Sequence, residues 1–442
     1  MPVTSIIATI FFHTILTPTI NFVRVAYLKV EQIVMLKAYQ YRIYPTAEQK
    51  NQLALHFGHT RHVYNWALKQ KIQHYEENKK SLPRSELQKR LVEMKKTEKP
   101  WLREVNSQSL LAALFQLETA FQNFFQGRAG FPKIKKKYDG HQSFQCPQHV
   151  TVDFAEGLLN LPKIKAVKIK LHRTFTGTIK TVTVKKVPTG KYFVSILVEN
   201  QEALPVATAI EPDKTVGLDV GLSHYLISSS GDKLSHPTYL KNKLRQLGCA
   251  QRQLSRKKTK DSKNRAKQKN VVAKIHEAVS NRRHDFVHQL SAELVFKNHE
   301  TSFAVEDLHI KGMIKNRKLS RAIADSGWRK FINALAYKCE WYGKNLLKIG
   351  RFTASSKTCH VCKIKRKELP LYVREWRCEC GVLHDRDINA ARNIKAFALA
   401  DALGQSVCVK QFPCSDNVQR RCYSERSCLM TGWVARSPHQ NA

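Results

Sequence analysis

The chain has 442 residues, 75 of them Lys or Arg against 35 Asp or Glu, for a formal net charge of +40. With 42% hydrophobic residues it can bury a real core, which excludes a disordered polycation and allows roughly two to four domains. So large a charge points to a polyanionic partner, and to nucleic acid over an acidic membrane patch, because phosphate contacts release counterions.

Met1 to Val23 carries no charged side chain and is long enough to suggest a membrane span. It lacks a basic leading region and contains Thr, His and Pro, so it fits a signal peptide poorly. Patterned sequence begins at Met35. Residues 1–34 are therefore read as an upstream extension without a fold, with translation starting at Met35. "LKAYQYRIYP" predicts a strand ending at Pro45. Thr46 and Gln49 then form a capping box, and Leu53, Phe57, Val63, Trp66 and Leu68 recur at helical spacing. Further helices are expected as far as Phe125. "GRAGFPKIKKK" breaks the pattern with Gly and Pro.

From Lys163 to Glu199 the texture is β, with a hairpin turning at Pro188-Thr189-Gly190 in a small antiparallel sheet or barrel. "EALPVATAIEPD" reads as a linker. "KTVGLDVGLSHYLISSSGD" predicts a strand, a Gly-bracketed aspartate and a second strand. Two long basic helices separated by "SRKKTKDSKNRAKQK" follow, then a strand "TSFAVEDL", then a helix from Ser326 to Trp341. Residues beyond about 404 are expected to be disordered.

Acids are scarce, so those on apolar strands need an explanation. Asp219 in "VGLDVGL" and Glu306 in "FAVED" would be costly to desolvate without a compensating cation. A pair of Mg²⁺ ions needs about three converging carboxylates, and Asp387 at the start of "INAARNIKAFALA" could supply the third. Each residue also has a plainer reading. The Gly-x-Asp-x-Gly pattern occurs in the phosphate loops of actin-like ATPases, although the only second loop, Asp325-Ser326-Gly327, reads better as a helix cap. Glu306 could be a surface acid with Asp307 its equal, and Asp387 could simply favour a helix N-terminus.

The eleven cysteines do not form a disulfide framework, being sparse until Cys359, Cys362, Cys378 and Cys380 cluster. That spacing matches a zinc ribbon in a reducing cytoplasm, a closed structural site without chemistry of its own. The second pair is one residue tighter than C-x₂-C, which leaves room for His384 to replace a ligand. Cys408, Cys414, Cys422 and Cys428 are irregularly spaced in a polar tail and are assigned no role.

"CHVCKIKRKELPLYVREWRCECGVLHDRDINAARNI" resembles the C-terminal signature of the TnpB/OrfB proteins of IS200/IS605-type insertion sequences, relatives of type V CRISPR effectors. "KAYQYRIYPTAEQKNQLALHFGHTRHVYNWAL", "FFQGRAGFPKIKKK", "VGLDVGL", "RQLSRKKTKDSKNRAK" and "FAVEDL" resemble further segments of that family, over roughly residues 35–403. The resemblance implies an α/β multidomain protein with a RuvC-like, RNase H-type nuclease domain, a zinc ribbon, and an N-terminal β-barrel wedge domain carrying an inserted helical recognition lobe. The implied boundaries are 35–45 with 128–205 for the barrel, 46–127 for the lobe, and 211–354 for the nuclease core. The ribbon would cover 355–384, the final RuvC-like motif and its helix 385–403, and the disordered tail 404–442.

The implied activity is an Mg²⁺-dependent endonuclease that uses a transposon-derived noncoding guide RNA to cleave double-stranded DNA beside a short adjacent motif. A metal-activated water would attack phosphorus and leave a 3′-hydroxyl. Asp219, Glu306 and Asp387 carry over as the catalytic, magnesium-binding acids. The D-x-N-A-A phase selects Asp387, leaving Asp385 to support the turn or Arg386. Cys359, Cys362, Cys378 and Cys380 carry over as zinc ligands. Arg252, Arg256, Lys257, Lys258, Lys263, Arg265, Lys267 and Lys269 form the basic run expected to hold nucleic-acid phosphates, in a monomeric ribonucleoprotein of the prokaryotic cytoplasm, associated with the nucleoid and not with membrane. The alternatives are a catalytically silent RNA- and DNA-binding accessory, a transposase acting on transposon ends, and a junction resolvase. Three intact acids argue against the first. The absence of a His-x-His pair with a nearby tyrosine argues against the second, and the large N-terminal segments argue against the third.

Overall fold

The structure, a computed structural model, describes residues 34–137, 142–259, 262–297, 299–370, 372–405, 407 and 409–411. The expected upstream extension lies outside these residues except for Val34, which pairs with Ala203 and so opens the first strand one residue ahead of Met35. That strand, β1 (Val34–Tyr44), leads into α1 (Ala47–Asn78), where the Thr46/Gln49 capping box forms as the sequence predicts. The Gln49 amide also donates to the Lys165 and Ala166 carbonyls, fixing the entry angle of the helix against the neighbouring strand. Helices α2 (Arg84–Lys96) and α3 (Ser107–Phe125), with a 3₁₀ turn at Pro100–Glu104, complete a lobe built on Val63, Leu68, Leu87, Leu91, Leu110 and Leu117.

The chain then returns to the first sheet through β2 (Gln142–Cys146), β3 (Thr151–Asp153), β4 (Leu158–Leu161), β5 (Ile164–Lys170), β6 (Thr178–Lys186) and β7 (Tyr192–Ala203). The order is β2-β6-β7-β1-β5-β4-β3, antiparallel throughout. The predicted hairpin joins β6 to β7, with Gly190 at φ 81°. Phe144 of β2 and Leu159 of β4 share one core although they lie near opposite ends of the strand order, so the sheet wraps around its interior. No pairing of β2 with β3 is present among the described residues. Strands β2 to β4 precede the alternating stretch from which the sequence signals β structure. They are hard to see in the sequence because each is only three to five residues long.

A second, five-stranded sheet follows, made of β8 (Thr215–Asp219), β9 (His224–Ser228), β10 (Lys233–Ser235), β11 (Ser302–Glu306) and β12 (Asn345–Ile349), in the order β10-β9-β8-β11-β12. β8, β11 and β12 are parallel, and β9 is antiparallel to β8. The crossover from β10 to β11 is the hairpin of α4 (Tyr239–Arg256) and α5 (Lys263–Phe296). The expected long basic separator shrinks to six residues, because Lys263 to Lys269 form the first turns of α5. Lys and Arg side chains are good helix formers, and Ser262 caps the helix by accepting from Arg265 N–H.

After β11 come α6 (Ile310–Met313), α7 (Ser320–Ser326) and α8 (Trp328–Trp341). The helix expected from Ser326 to Trp341 is α8, starting two residues later, and α7, which the sequence reading did not expect, precedes it across Gly327 at φ 69°. Asp325 does not cap α8. It is buried, pairs with Arg283 of α5 at 2.5 Å, and accepts Leu240 N–H at the start of α4. Removing one partner strands a buried charge, so Asp325→Ala should lower stability by about 3–5 kcal/mol, read by denaturant unfolding. β13 (Ile364–Lys365), β14 (Glu375–Arg377) and β15 (Leu383–Asp385) form the cysteine module, and α9 (Arg386–Ala402) closes onto the second sheet. β16 (Lys410–Gln411) pairs in parallel with β13, so ordered structure extends into the segment expected to be disordered.

Candidate active site and metal centre

β8 and β11 are buried on both faces, as parallel strands between helices are. Val216, Leu218, Phe303 and Val305 pack with residues of α5 and α8. Ala304 packs with Ile394 and Ala398 of α9. Side chains alternate, so Gly217 and Asp219, and Ala304 and Glu306, share the α9 face. Leu218 is in register with Val305, which makes Asp219 and Glu306 neighbours at the ends of adjacent strands.

Gly217 explains how the third acid arrives. A Cβ there would stand 2.0 Å from the Ala391 carbonyl and 2.8 Å from Lys395 N, so only glycine lets the α9 backbone approach β8 this closely. Asp387 precedes Ala391 by four residues, about 6 Å of helix, and Asp219 follows Gly217 by two, about 6.6 Å of strand. With α9 running against β8, Asp387 comes close enough for its charge to act on Asp219. Gly217→Ala should displace α9 and cost about 1–3 kcal/mol or more, with a matching fall in melting temperature.

The electrostatics agree with this convergence. Asp219 keeps partial access to solvent, yet burial first, and then the charges of Glu306 and Asp387, push its carboxyl from an ordinary 3.8 up to about 8. Burial also raises Glu306, and the Ser355 hydroxyl, which donates to Glu306 Oε1, pulls it partly back. Such a set calls for a compensating cation. In the cation-free protein, a carboxyl whose folded pKa is raised contributes stability that is present below about pH 4 and lost as pH rises through about 8. Asp219→Asn should therefore raise the cation-free melting temperature most at pH 8 and above, and the advantage over wild type should shrink toward pH 4.

The Asp-Arg-Asp cluster divides its labour. Asp385 caps α9, accepting from Asp387 N–H and Ile388 N–H at 3.0 Å, and pairs with Lys233. Arg386 is buried and donates to the Pro370 carbonyl at 2.6 Å, tying the helix to the cysteine module. Asp387 is left for the acid site, where Arg374 approaches at 3.4 Å while donating to Ser223 Oγ at 2.9 Å. Asp307 is not the equal of Glu306, since it points outward to an exposed pair with Arg351 at 2.8 Å.

The sulfurs of Cys359, Cys362, Cys378 and Cys380 lie within 4.8 Å of one another, the only such compact set among the described residues. Tetrahedral zinc with bonds near 2.3 Å requires sulfur–sulfur separations of roughly 3.8 Å. Cys362–Cys378 at 3.5 Å and Cys359–Cys380 at 3.7 Å fit. Lys363 at φ 61° and Gly381 at φ 85° turn the two knuckles, and the tight C-x-C pair still reaches. His384 does not replace a cysteine. It is buried beside Trp376, with Nε2 3.0 Å from Cys359 Sγ.

Of the basic run, Arg252 and Arg256 lie on α4, Lys257 and Lys258 on the connection, and Lys263, Arg265, Lys267 and Lys269 on α5. Arg265 is partly engaged in the fold, its guanidinium donating to the Leu254 and Lys257 carbonyls that end α4. Sequence reading missed Arg374, Ser355, Asn389 and Asn393, because polar residues become informative only when their partners, distant in sequence, are known. Among the described residues no helix is long and apolar enough to cross a membrane.

Three family profiles match the chain: a helix-turn-helix domain of OrfB proteins at residues 35–80, a probable transposase, OrfB_IS605, at 195–317, and a Cas12f1-like TNB domain at 328–394. In the structure the first of these segments is a strand and one long helix. A Streptomyces pristinaespiralis protein named "Putative RNA-guided DNA endonuclease" is 39% identical over 369 residues, covering 82% of this chain and 90% of that one. "Putative RNA-guided DNA endonuclease InsQ" of Escherichia coli K12 is 33% identical, covering 82% and 92%. Among solved structures, a Cas12f1–sgRNA–target DNA complex matches with a TM-score of 0.49 and 12% identity, over 82% of this chain and 99% of that one. The likeness to the Streptomyces and Escherichia proteins runs nearly the full length of both, and the chain belongs to the TnpB/OrfB family of insertion-sequence proteins.

Proposed function

We propose that the protein is an RNA-guided DNA endonuclease that cleaves double-stranded DNA beside a short adjacent motif, with Asp219, Glu306 and Asp387 as its catalytic acids. The observation that carries the reading is that the charges of Glu306, on the neighbouring strand, and of Asp387, on the helix packed against both, act on the buried Asp219 carboxyl in a chain of net charge +40. The β10-β9-β8-β11-β12 order with a parallel centre supports an RNase H-type, RuvC-like core. The wrapped seven-stranded sheet supports the wedge barrel, and the inserted helices α1 to α3 the recognition lobe. The full-length relatives named as RNA-guided DNA endonucleases support the activity.

Asp219, Glu306 and Asp387 would hold Mg²⁺, in a pair of ions, which when bound neutralises the charge built up at phosphorus and activates water. The protein's own part is to fix the carboxylates on rigid strands and a capped helix. Cys359, Cys362, Cys378 and Cys380 would hold structural zinc, steadying α9 from outside. Lys257, Lys258, Lys263, Lys267 and Lys269, with Arg252 and Arg256, would meet phosphates of a transposon-derived guide RNA, and a hybrid gripped by its backbone needs charge more than base-specific contacts.

To test the reading, the protein would be purified from cells carrying its flanking DNA, the bound RNA sequenced, and the complex incubated with a randomised plasmid library and Mg²⁺. A discrete RNA and cleavage beside one motif are expected; intact plasmids with a matched target would overturn the reading. Reversing Lys257, Lys258, Lys263 and Lys267 to Glu should weaken RNA binding and flatten its salt dependence, by up to about 0.7–0.9 logarithmic units of slope for each phosphate no longer neutralised.

A further inference from the structure

Between β12 and β13 the chain passes through a partly buried strap, residues 353–360, that touches the acid site at one end and the thiol cluster at the other. Ser355 is 7% exposed; its hydroxyl donates to Glu306 Oε1, and its carbonyl accepts from Asn393 Nδ2 at 2.8 Å. The fully buried Thr358 carbonyl accepts from both Asn389 and Asn393, and His360 N–H donates to Asn389 Oδ1 at 2.9 Å. Asn389 and Asn393 are themselves buried, one turn apart on α9, the helix whose first turn carries Asp387. One helix thus bears the third acid and the two amides that fasten the strap. The next residue after Thr358 is the zinc-type ligand Cys359.

A hydroxyl on one carboxylate oxygen limits rotation of the Glu306 side chain and leaves the other oxygen for a cation. Such supporting contacts to a metal ligand are typically worth roughly 10–100-fold in affinity. We propose that Ser355, held by Asn393, is a positioning residue that orients Glu306 for a divalent cation, so that the thiol module and the acid site act as one mechanical unit. The proposal rests on reading Asp219, Glu306 and Asp387 as a cation site.

The test uses the full-length, zinc-loaded protein and Mn²⁺ as the probe, with binding followed by calorimetry and no turnover required. Wild type should bind, and Glu306→Gln should lose most of that binding. If wild type fails to bind, or Glu306→Gln binds equally well, the site reading itself falls. Given a normal Glu306 control, Ser355→Ala should weaken Mn²⁺ about 10–100-fold, with zinc content and melting temperature little changed. Ser355→Cys, of similar volume and weaker as a donor, should fall between the two. If Ser355→Ala does not fold, Ser355→Cys against wild type carries the same expectation. Mn²⁺ affinity equal to wild type in the folded variants, with the Glu306 control behaving as expected, overturns the positioning role and leaves the site reading standing.

Discussion

Asp219→Asn is expected to reduce guided DNA cleavage by about a thousandfold or more, equivalent to roughly 4 kcal/mol of transition-state stabilisation, while RNA binding is unchanged. The substitution keeps the size of the side chain, removes one anionic ligand, and relieves the burial of charge, and then the repulsion, that hold the Asp219 carboxyl at about 8. Activity and stability should therefore move in opposite directions. The zinc-loaded variant should melt higher than zinc-loaded wild type in Mg²⁺-free buffer at pH 8, yet fail to cut at any Mg²⁺ concentration. Residual cleavage within about tenfold of wild type would show that the reaction does not depend on this carboxylate.

Replacing Cys359 and Cys362 together with Ser should abolish zinc binding, measured by elemental analysis, from one ion per chain to none. Structural zinc contributes an apparent free energy of roughly 10–16 kcal/mol to small metal domains at neutral pH. The loss should therefore unfold the module and not merely loosen it. The damage should spread. Thr358 and His360 are held by Asn389, and Arg386 by the Pro370 carbonyl, so the first turn of α9 would lose its outer support. Hydrogen exchange should report faster exchange over residues 385–393 as well as over the module, whereas the first-sheet core around Leu159 and Ile196 should remain protected.

Much of this was legible before folding. The capping box at Thr46, the β6–β7 turn, the apolar strands ending in Asp219 and Glu306, and the four-cysteine spacing are local patterns, and local patterns report local structure. The convergence of the acids was an expectation from charge scarcity and family likeness. Its cause, the contact of Gly217 with the Ala391 carbonyl, was invisible, because nothing in "VGLDVGL" says which helix must come close. Asp325 shows the same limit. The triplet Asp325-Ser326-Gly327 does cap α8, through Gly327, but the partners of Asp325 itself, Arg283 and Leu240 N–H, lie 42 and 85 residues away. Composition leaves Glu306 and Asp307 equal and only the resemblance selects Glu306; the physical difference, strand alternation that turns one toward α9 and the other toward Arg351, needs the fold.

The most direct measurement is the anomalous scattering of the protein soaked with Mn²⁺. The account predicts density within roughly 2.1–2.2 Å of oxygens from Asp219, Glu306 and Asp387 together, lost in Asp219→Asn. Mn²⁺ density elsewhere with none among these three carboxylates, at a concentration that supports cleavage, would contradict it.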